Sequence, residues 1–200
     1  GIRLSDAGYV EDLKSSGVTH IRLSIHGADA AVHDAIVLIP GAFERVLKAI
    51  ANIRLAGLPL GVNFVFIRSN LRIFPDFLER FCLREGIDDV IAYFPHLRGM
   101  MAINAPAEAI RYEEAVAFVR QGFARIERWG RRESVLLANF VPCVLPELCD
   151  RMIDWAHGEG GPCAQTHPEG FTEDILAMKD AQREKVAACA ACCLNSRCLG

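Results

Sequence analysis

The sequence has no basic surplus, no long apolar run and no export signal. Its net charge is −3, which excludes the strongly basic domain that advertises nucleic-acid binding. No apolar stretch approaches the roughly 18 residues of a membrane span, so neither nucleic acid nor membrane is an expected partner. Internal repeats and low-complexity tracts are absent. Cysteine is missing before Cys82, which stands alone, while the other seven of eight lie between Cys143 and Cys198. Without an export signal, such a cluster reads as metal ligation in a cytoplasmic protein before it reads as disulfides. The first residue is Gly1 and not Met, and the reading is that further residues precede it.

What is present is a folded chain. Its 200 residues are 52% hydrophobic and 24% charged, enough for one substantial core and at most a small appendage. The organising stretch is His20 to Gly27. Ile21, Leu23 and Ile25 alternate with His20, Arg22, Ser24 and His26, the period of a strand with one apolar and one polar face. Helical and strand patterns follow in turn, which predicts α/β architecture with a parallel sheet. Covered parallel strands are usually apolar on both faces. The polar face therefore implies either a ligand-filled space, such as an open barrel lumen, or a solvated sheet edge.

Periodicity predicts a helix capped by Ser5 and stopped at Gly17, and a strand over Thr19–Ile25. A turn is expected over His26–Pro40. A helix from Ala42 to Ala56 carries the stripe Phe43, Val46, Leu47, Ile50 and Ile53. Leu60–Ile67 is a strand with Val62, Phe64 and Phe66 on one face and Asn63 on the other. A helix over Phe74–Arg84 follows, with Pro75 in its first turn and Cys82 as a packed thiol. Asp89–Phe94 is a third strand, and a loop runs from there to Pro106. His96 and Arg98 in that loop read either as contacts to an anionic substrate group or as solvated residues. A helix over Arg111–Trp129 and a strand over Val135–Phe140 complete the periodic part. Beyond Pro142 the pattern breaks down, apart from a short helix near Glu173–Ala188. The expected division is residues 1–141 and 142–200.

Two constellations carry chemistry. Ser24, Asn63 and the backbone around Phe94 sit at or near the carboxyl ends of successive strands, where loops of α/β folds converge on ligands. Ser and Asn offer uncharged donors and acceptors suited to a ribose or an amino-acid carboxylate. The second constellation is Cys189-x2-Cys192-x5-Cys198 with Cys143 upstream. Two cysteines separated by two residues reach one metal centre across a tight turn. Four thiolates suit a structural zinc or a 4Fe–4S cluster, and ligand type leaves both open. Cys149, Cys163 and Cys193 are spare donors.

These residues together resemble the radical S-adenosylmethionine superfamily, of the molybdenum-cofactor and peptide-maturase type with a cysteine-rich C-terminal extension. Ser24-Ile25-His26-Gly27 resembles the family's Ser-Leu-His-Gly strand end. His33-Asp34-Ala35-Ile36 with Gly41-Ala42-Phe43, Val62-Asn63-Phe64-Val65 with Asn70, and Tyr93-Phe94-Pro95 follow in family order, and Gly1 resembles the end of a Thr-Asn-Gly turn. The resemblance implies a partial (β/α)6 barrel on which S-adenosylmethionine lies across the strand ends. It implies that Ser24 and Asn63 hold its amino-acid and ribose portions and that the backbone near Phe94 borders the adenine. It further implies an auxiliary 4Fe–4S cluster on Cys143, Cys189, Cys192 and Cys198. In that family an external electron donor reduces a 4Fe–4S cluster, and a 5′-deoxyadenosyl radical takes hydrogen from a peptide or small-molecule substrate; the cofactor carries the chemistry.

The chain departs from the family in three places. The Cys-x3-Cys-x2-Cys loop and the Gly-Gly-Glu turn are absent, so the expectation is a chain that begins at the third barrel strand and is inactive by itself. Val37-Leu38 stand where the family often has Arg-Gly. A non-catalytic binding or scaffold module with a structural zinc tail is the alternative reading.

Overall fold

The computed structural model describes residues 1–153, 155–156, 164–166, 170, 172–174, 177, 181 and 183–200. The chain divides into two compact units, Gly1–Leu137 and Ala138–Gly200. The first alternates helix and strand: α1 (Ala7–Ser15), β1 (Ile21–Ser24), α2 (Ala30–Val37), α3 (Ala42–Leu55), β2 (Leu60–Val65), α4 (Phe74–Leu78), β3 (Val90–Tyr93), α5 (Met100–Glu108), α6 (Tyr112–Glu127) and β4 (Val135–Ala138). The strands lie side by side in sequence order. β1 pairs parallel with β2, and β2 parallel with β3. This is α/β architecture with a parallel sheet, compatible with part of an α/β barrel.

One face of the sheet is the core. Leu23, Ile25, Val62, Phe64, Phe66, Val90, Ala92, Val135 and Leu137 are all buried. α3 covers them with Phe43, Val46, Ala49, Ile50 and Ile53, the stripe that its 3.6-residue period demands. α4 adds Phe74, Phe77 and Leu78, and continues without a break into a π-helical turn over Glu79–Arg84 that buries Phe81 and Cys82. Phe64, Phe66, Phe74, Phe77 and Phe81 have no exposed surface. Their rings meet at 4.5 Å (Phe64–Phe77), 4.6 Å (Phe66–Phe74) and 4.8 Å (Phe77–Phe81). Each such buried ring stabilises the fold by roughly 1.5–3 kcal/mol. Burial raises the Cys82 thiol to about 12, so it is a packing residue.

Several local expectations are corrected. The cap of α1 is Asp6, whose carboxylate accepts from the Gly8 N–H at 2.9 Å. Ser5 instead donates to the Ile2 carbonyl at 2.8 Å. The expected turn over His26–Pro40 contains α2, capped by Asp29 accepting from Val32 N–H at 3.0 Å. The expected loop before Pro106 contains α5, which buries no residue and so shows no apolar stripe in the sequence. In the second unit, Thr172–Asp174 pairs antiparallel with Ala164–Thr166, so the helix expected near Glu173–Ala188 does not include its first residues, whereas Ala177 within it is helical, its carbonyl accepting from Ala181 N–H at 3.1 Å. Parts of that expected helix, and Cys163, lie outside the described residues. Among the described residues, no helix is long and apolar enough to cross a membrane.

Candidate ligand face and cysteine-lined cavity

The turn after β1 is built by backbone contacts that only particular residues permit. The buried His33 accepts from the His26 N–H through Nδ1 at 3.1 Å. A Cβ on Gly27 would stand 2.5 Å from the His33 nitrogen, so the approach of α2 requires glycine there. Asp34 then caps α3 from outside that helix, its carboxylate accepting from Gly41 N–H at 2.7 Å and Phe43 N–H at 2.8 Å. Asn70, fully buried, joins the ends of two strands. Its Oδ1 accepts from Ile67 N–H at 2.9 Å, and its Nδ2 donates to Val65 O at 3.0 Å and His26 O at 3.2 Å. Burial, then the neighbouring His33, lowers His26 to about 4. Burial also lowers His33, against a smaller opposing effect of Asp34.

With the turn fixed, the other face of the sheet stays open. Ser24 and Asn63 are register partners on β1 and β2, and so share that face side by side. Ser24 is exposed and Asn63 half-buried. Asn63 Oδ1 accepts from Arg22 Nη1 at 3.3 Å. Arg22 also pairs with Asp89, a half-exposed carboxylate that His20 Nε2 approaches at 3.5 Å. Phe94, just past the end of β3, is half-buried, and its ring stacks on Tyr112 at 3.9 Å. Tyr93, the register partner of Val65, is the aromatic residue on the open face. Sequence reasoning quoted it only beside Phe94 and gave it no role, although counting by twos from Ile91 places it on this face. His96 is half-buried and Arg98 exposed in the loop that follows. Above the strand ends lies a cavity of about 730 Å³ lined by His26, Val65 and Ile67 with α2 and α5.

In the second unit, a cavity of about 510 Å³ is lined by Cys143, Cys149, Cys189, Cys192, Cys193 and Cys198. The four cysteines singled out from the sequence are thus brought to one space, with two of the three spare ones. A 3-10 helix over Ala187–Ala191 makes the tight turn between Cys189 and Cys192, with Cys192 N–H donating to Cys189 O at 3.1 Å. Leu194 N–H donates to Cys192 Sγ, and Gly200 N–H to Cys198 Sγ, each at 3.4 Å. Burial raises the Cys143 thiol, and Cys198, Cys189 and Cys192 push the same way against a backbone hydrogen bond that lowers it. Among the described residues, no three His, Cys, Asp or Glu side chains are arranged to hold one metal ion. A tetrahedral zinc at about 2.3 Å from each sulfur would need its thiolates within roughly 4 Å of one another. All-thiolate donors are the ligand set of both a structural zinc and an iron–sulfur cluster.

No protein-family model matches the chain, and no solved structure matches it significantly. Curated relatives do. An AdoMet-dependent heme synthase of Nitratidesulfovibrio vulgaris is 40% identical over 78 residues, 39% of this chain and 21% of that protein. An AdoMet-dependent heme synthase of Methanosarcina barkeri is 42% identical over 62 residues, 31% of this chain and 18% of that protein. A PqqA peptide cyclase of Granulibacter bethesdensis is 38% identical over 76 residues, 38% of this chain and 20% of that protein. The matched region spans about a fifth of each relative. These names support the radical S-adenosylmethionine resemblance; of the expected molybdenum-cofactor and peptide-maturase type, they do not support the molybdenum-cofactor part.

Proposed function

We propose that this chain is part of a cytoplasmic radical S-adenosylmethionine enzyme, an oxidoreductase or maturase acting on a peptide or small molecule. The observation that carries the reading is the juxtaposition of Ser24 and Asn63 in register on the open face. Their hydroxyl and carboxamide would hold the amino-acid and ribose portions of S-adenosylmethionine, with the backbone near Phe94 beside the adenine. The bound cofactor would supply hydrogen-atom abstraction, fed with an electron from an external donor. Cys143, Cys189, Cys192 and Cys198 would hold an auxiliary 4Fe–4S cluster, and residues 142–200 would serve as its carrier. A peptide substrate is favoured by the PqqA peptide cyclases among the relatives and by the apolar cleft between α2 and α5.

These 200 residues contain no Cys-x3-Cys-x2-Cys loop, so they bind the cofactor without cleaving it. The test is anaerobic reconstitution with iron and sulfide. The expected product carries about four irons per chain, loses them in the Cys189→Ser/Cys192→Ser variant, and releases no 5′-deoxyadenosine under dithionite. Tight, colourless, stoichiometric zinc would instead support a structural tail on a binding module. Release of 5′-deoxyadenosine would overturn the assignment of inactivity.

A further inference from the structure

Asn63 does not stand alone on the open face. Its neighbour across the strand pair is not the residue opposite it but Arg22, two positions back on β1. The Arg22 side chain crosses over Gly61, its own register partner, to reach Asp89 just before β3. That crossing depends on the missing side chain. A Cβ on Gly61 would stand 2.7 Å from both Arg22 Cζ and Asp89 Oδ2, closer than the atoms tolerate. The guanidinium lies close over Gly61, with Nη2 committed to Asp89 and Nη1 donating to Asn63 Oδ1 at 3.3 Å.

A guanidinium has donors and no acceptor. A carboxamide beside it is held one way round, because the flipped amide would turn its NH2 group against N–H donors. The oxygen of Asn63 is thus drawn toward the amino-terminal side of the sheet, and Nδ2 is left facing the carboxyl ends of the strands. Among the described residues nothing accepts from Nδ2. Asp89 balances the charge of Arg22, so the arrangement fixes an orientation without adding a net charge to the face.

We propose that Arg22 is a positioning residue. Anchored by Asp89 across Gly61, it orients the Asn63 carboxamide so that the site presents paired N–H donors and selects an oxygen acceptor on the ligand. This rests on the assignment of Asn63 to S-adenosylmethionine. The test is calorimetric titration of the 200-residue chain with S-adenosylmethionine without reductant, in the wild type, Arg22→Met, Asp89→Asn, Asn63→Ala and the Arg22→Met/Asn63→Ala double variant. Arg22→Met weakens binding roughly three- to ten-fold, the size of one hydrogen bond lost to a polar ligand group. Asp89→Asn, which keeps the shape and frees the guanidinium, weakens it less and carries the test if Arg22→Met does not fold. In the Asn63→Ala background the effect of Arg22→Met shrinks below about two-fold, because there is no amide left to orient. A merely structural role would persist in that background and would overturn the proposal. Loss of affinity in Asn63→Ala with none in Arg22→Met and Asp89→Asn would also overturn it while sparing the ligand assignment. A wild type that does not bind S-adenosylmethionine would overturn both.

Discussion

Replacing Leu38 with glycine should stabilise the protein. Leu38 ends α2 in the left-handed conformation, with φ 57° and ψ 33°, where an L-residue's Cβ crowds its own backbone at a cost of roughly 1–2 kcal/mol. The resemblance places glycine here in related sequences, and the geometry gives the reason: the last turn of α2 closes through Leu38 N–H and Ile39 N–H, both donating to Asp34 O, which leaves the residue between them no other φ. The side chain brings little in return, being 84% exposed. Glycine relieves the crowding but gives the unfolded chain about 0.5–1 kcal/mol more conformational freedom to lose. The net gain is about 0.5–1 kcal/mol, or about 1–4 °C in Tm at roughly 2–4 °C per kcal/mol for a chain of this size. Urea unfolding of wild type, Leu38→Gly and Leu38→Ala measures it. Alanine keeps the Cβ and truncates the rest, so it should sit within a few tenths of a kcal/mol of wild type. If alanine stabilises as much as glycine, the gain comes from removing exposed apolar surface and the backbone argument is wrong.

Three further outcomes follow from the same turn and the face beside it. His26 is lowered to about 4 from 6.5 by burial and by His33, and His33 is lowered too; the unfolded chain takes up protons first, so stability is full above about pH 6.5 and falls toward pH 4, by up to about 3 kcal/mol for His26, as urea midpoints across that range would show. Asn70→Ala removes three hydrogen bonds from a buried site and leaves two carbonyls and an N–H without partners, costing about 2–4 kcal/mol in the same unfolding assay. Ser24→Ala, by contrast, removes an exposed hydroxyl and should leave the urea midpoint unchanged within about 0.5 kcal/mol while weakening S-adenosylmethionine binding in calorimetry.

What was readable in the sequence follows burial. α3 and the strands β1 to β3 bury one face against water, so their apolar residues recur at the helix or strand period, and their positions were found to within a residue or two. α2 buries only His33 among its residues, and α5 none. Neither leaves a stripe, and Pro106 in α5 further argues for a loop. Pairing across the sheet was legible for Ser24 and Asn63, because alternation fixes the face and strand ends fix the height. The partner of Arg22 was not. Asp89 is 67 residues away, and nothing local marks it among the acidic residues of the chain. The tight turn of Cys189 and Cys192 was legible from spacing, whereas the presence of Cys149 and Cys193 on the same cavity wall depends on how the second unit folds.

The residues that carry the family resemblance do two different jobs. His33, Asp34, Gly27 and Asn70 spend their polar groups or their small size on the protein itself: an acceptor for one N–H, a cap for the next helix, room for a backbone, a clasp between strand ends. Each of those contacts is made within the chain, so they explain a shape. Ser24 and the amide nitrogen of Asn63 are the opposite case. They lie on a face whose register and height are fixed by the first set, and among the described residues their hydrogen-bonding capacity is not used by the chain. A folded domain gains nothing from holding unused donors in fixed positions above a parallel sheet, since water would satisfy them equally well in any rotamer. Fixing one of them with an ion pair laid across a glycine has a physical return only if something arrives whose acceptor must meet that donor, and this is why the ligand reading is placed on Ser24 and Asn63 and not on the more distinctive histidine and aspartate nearby.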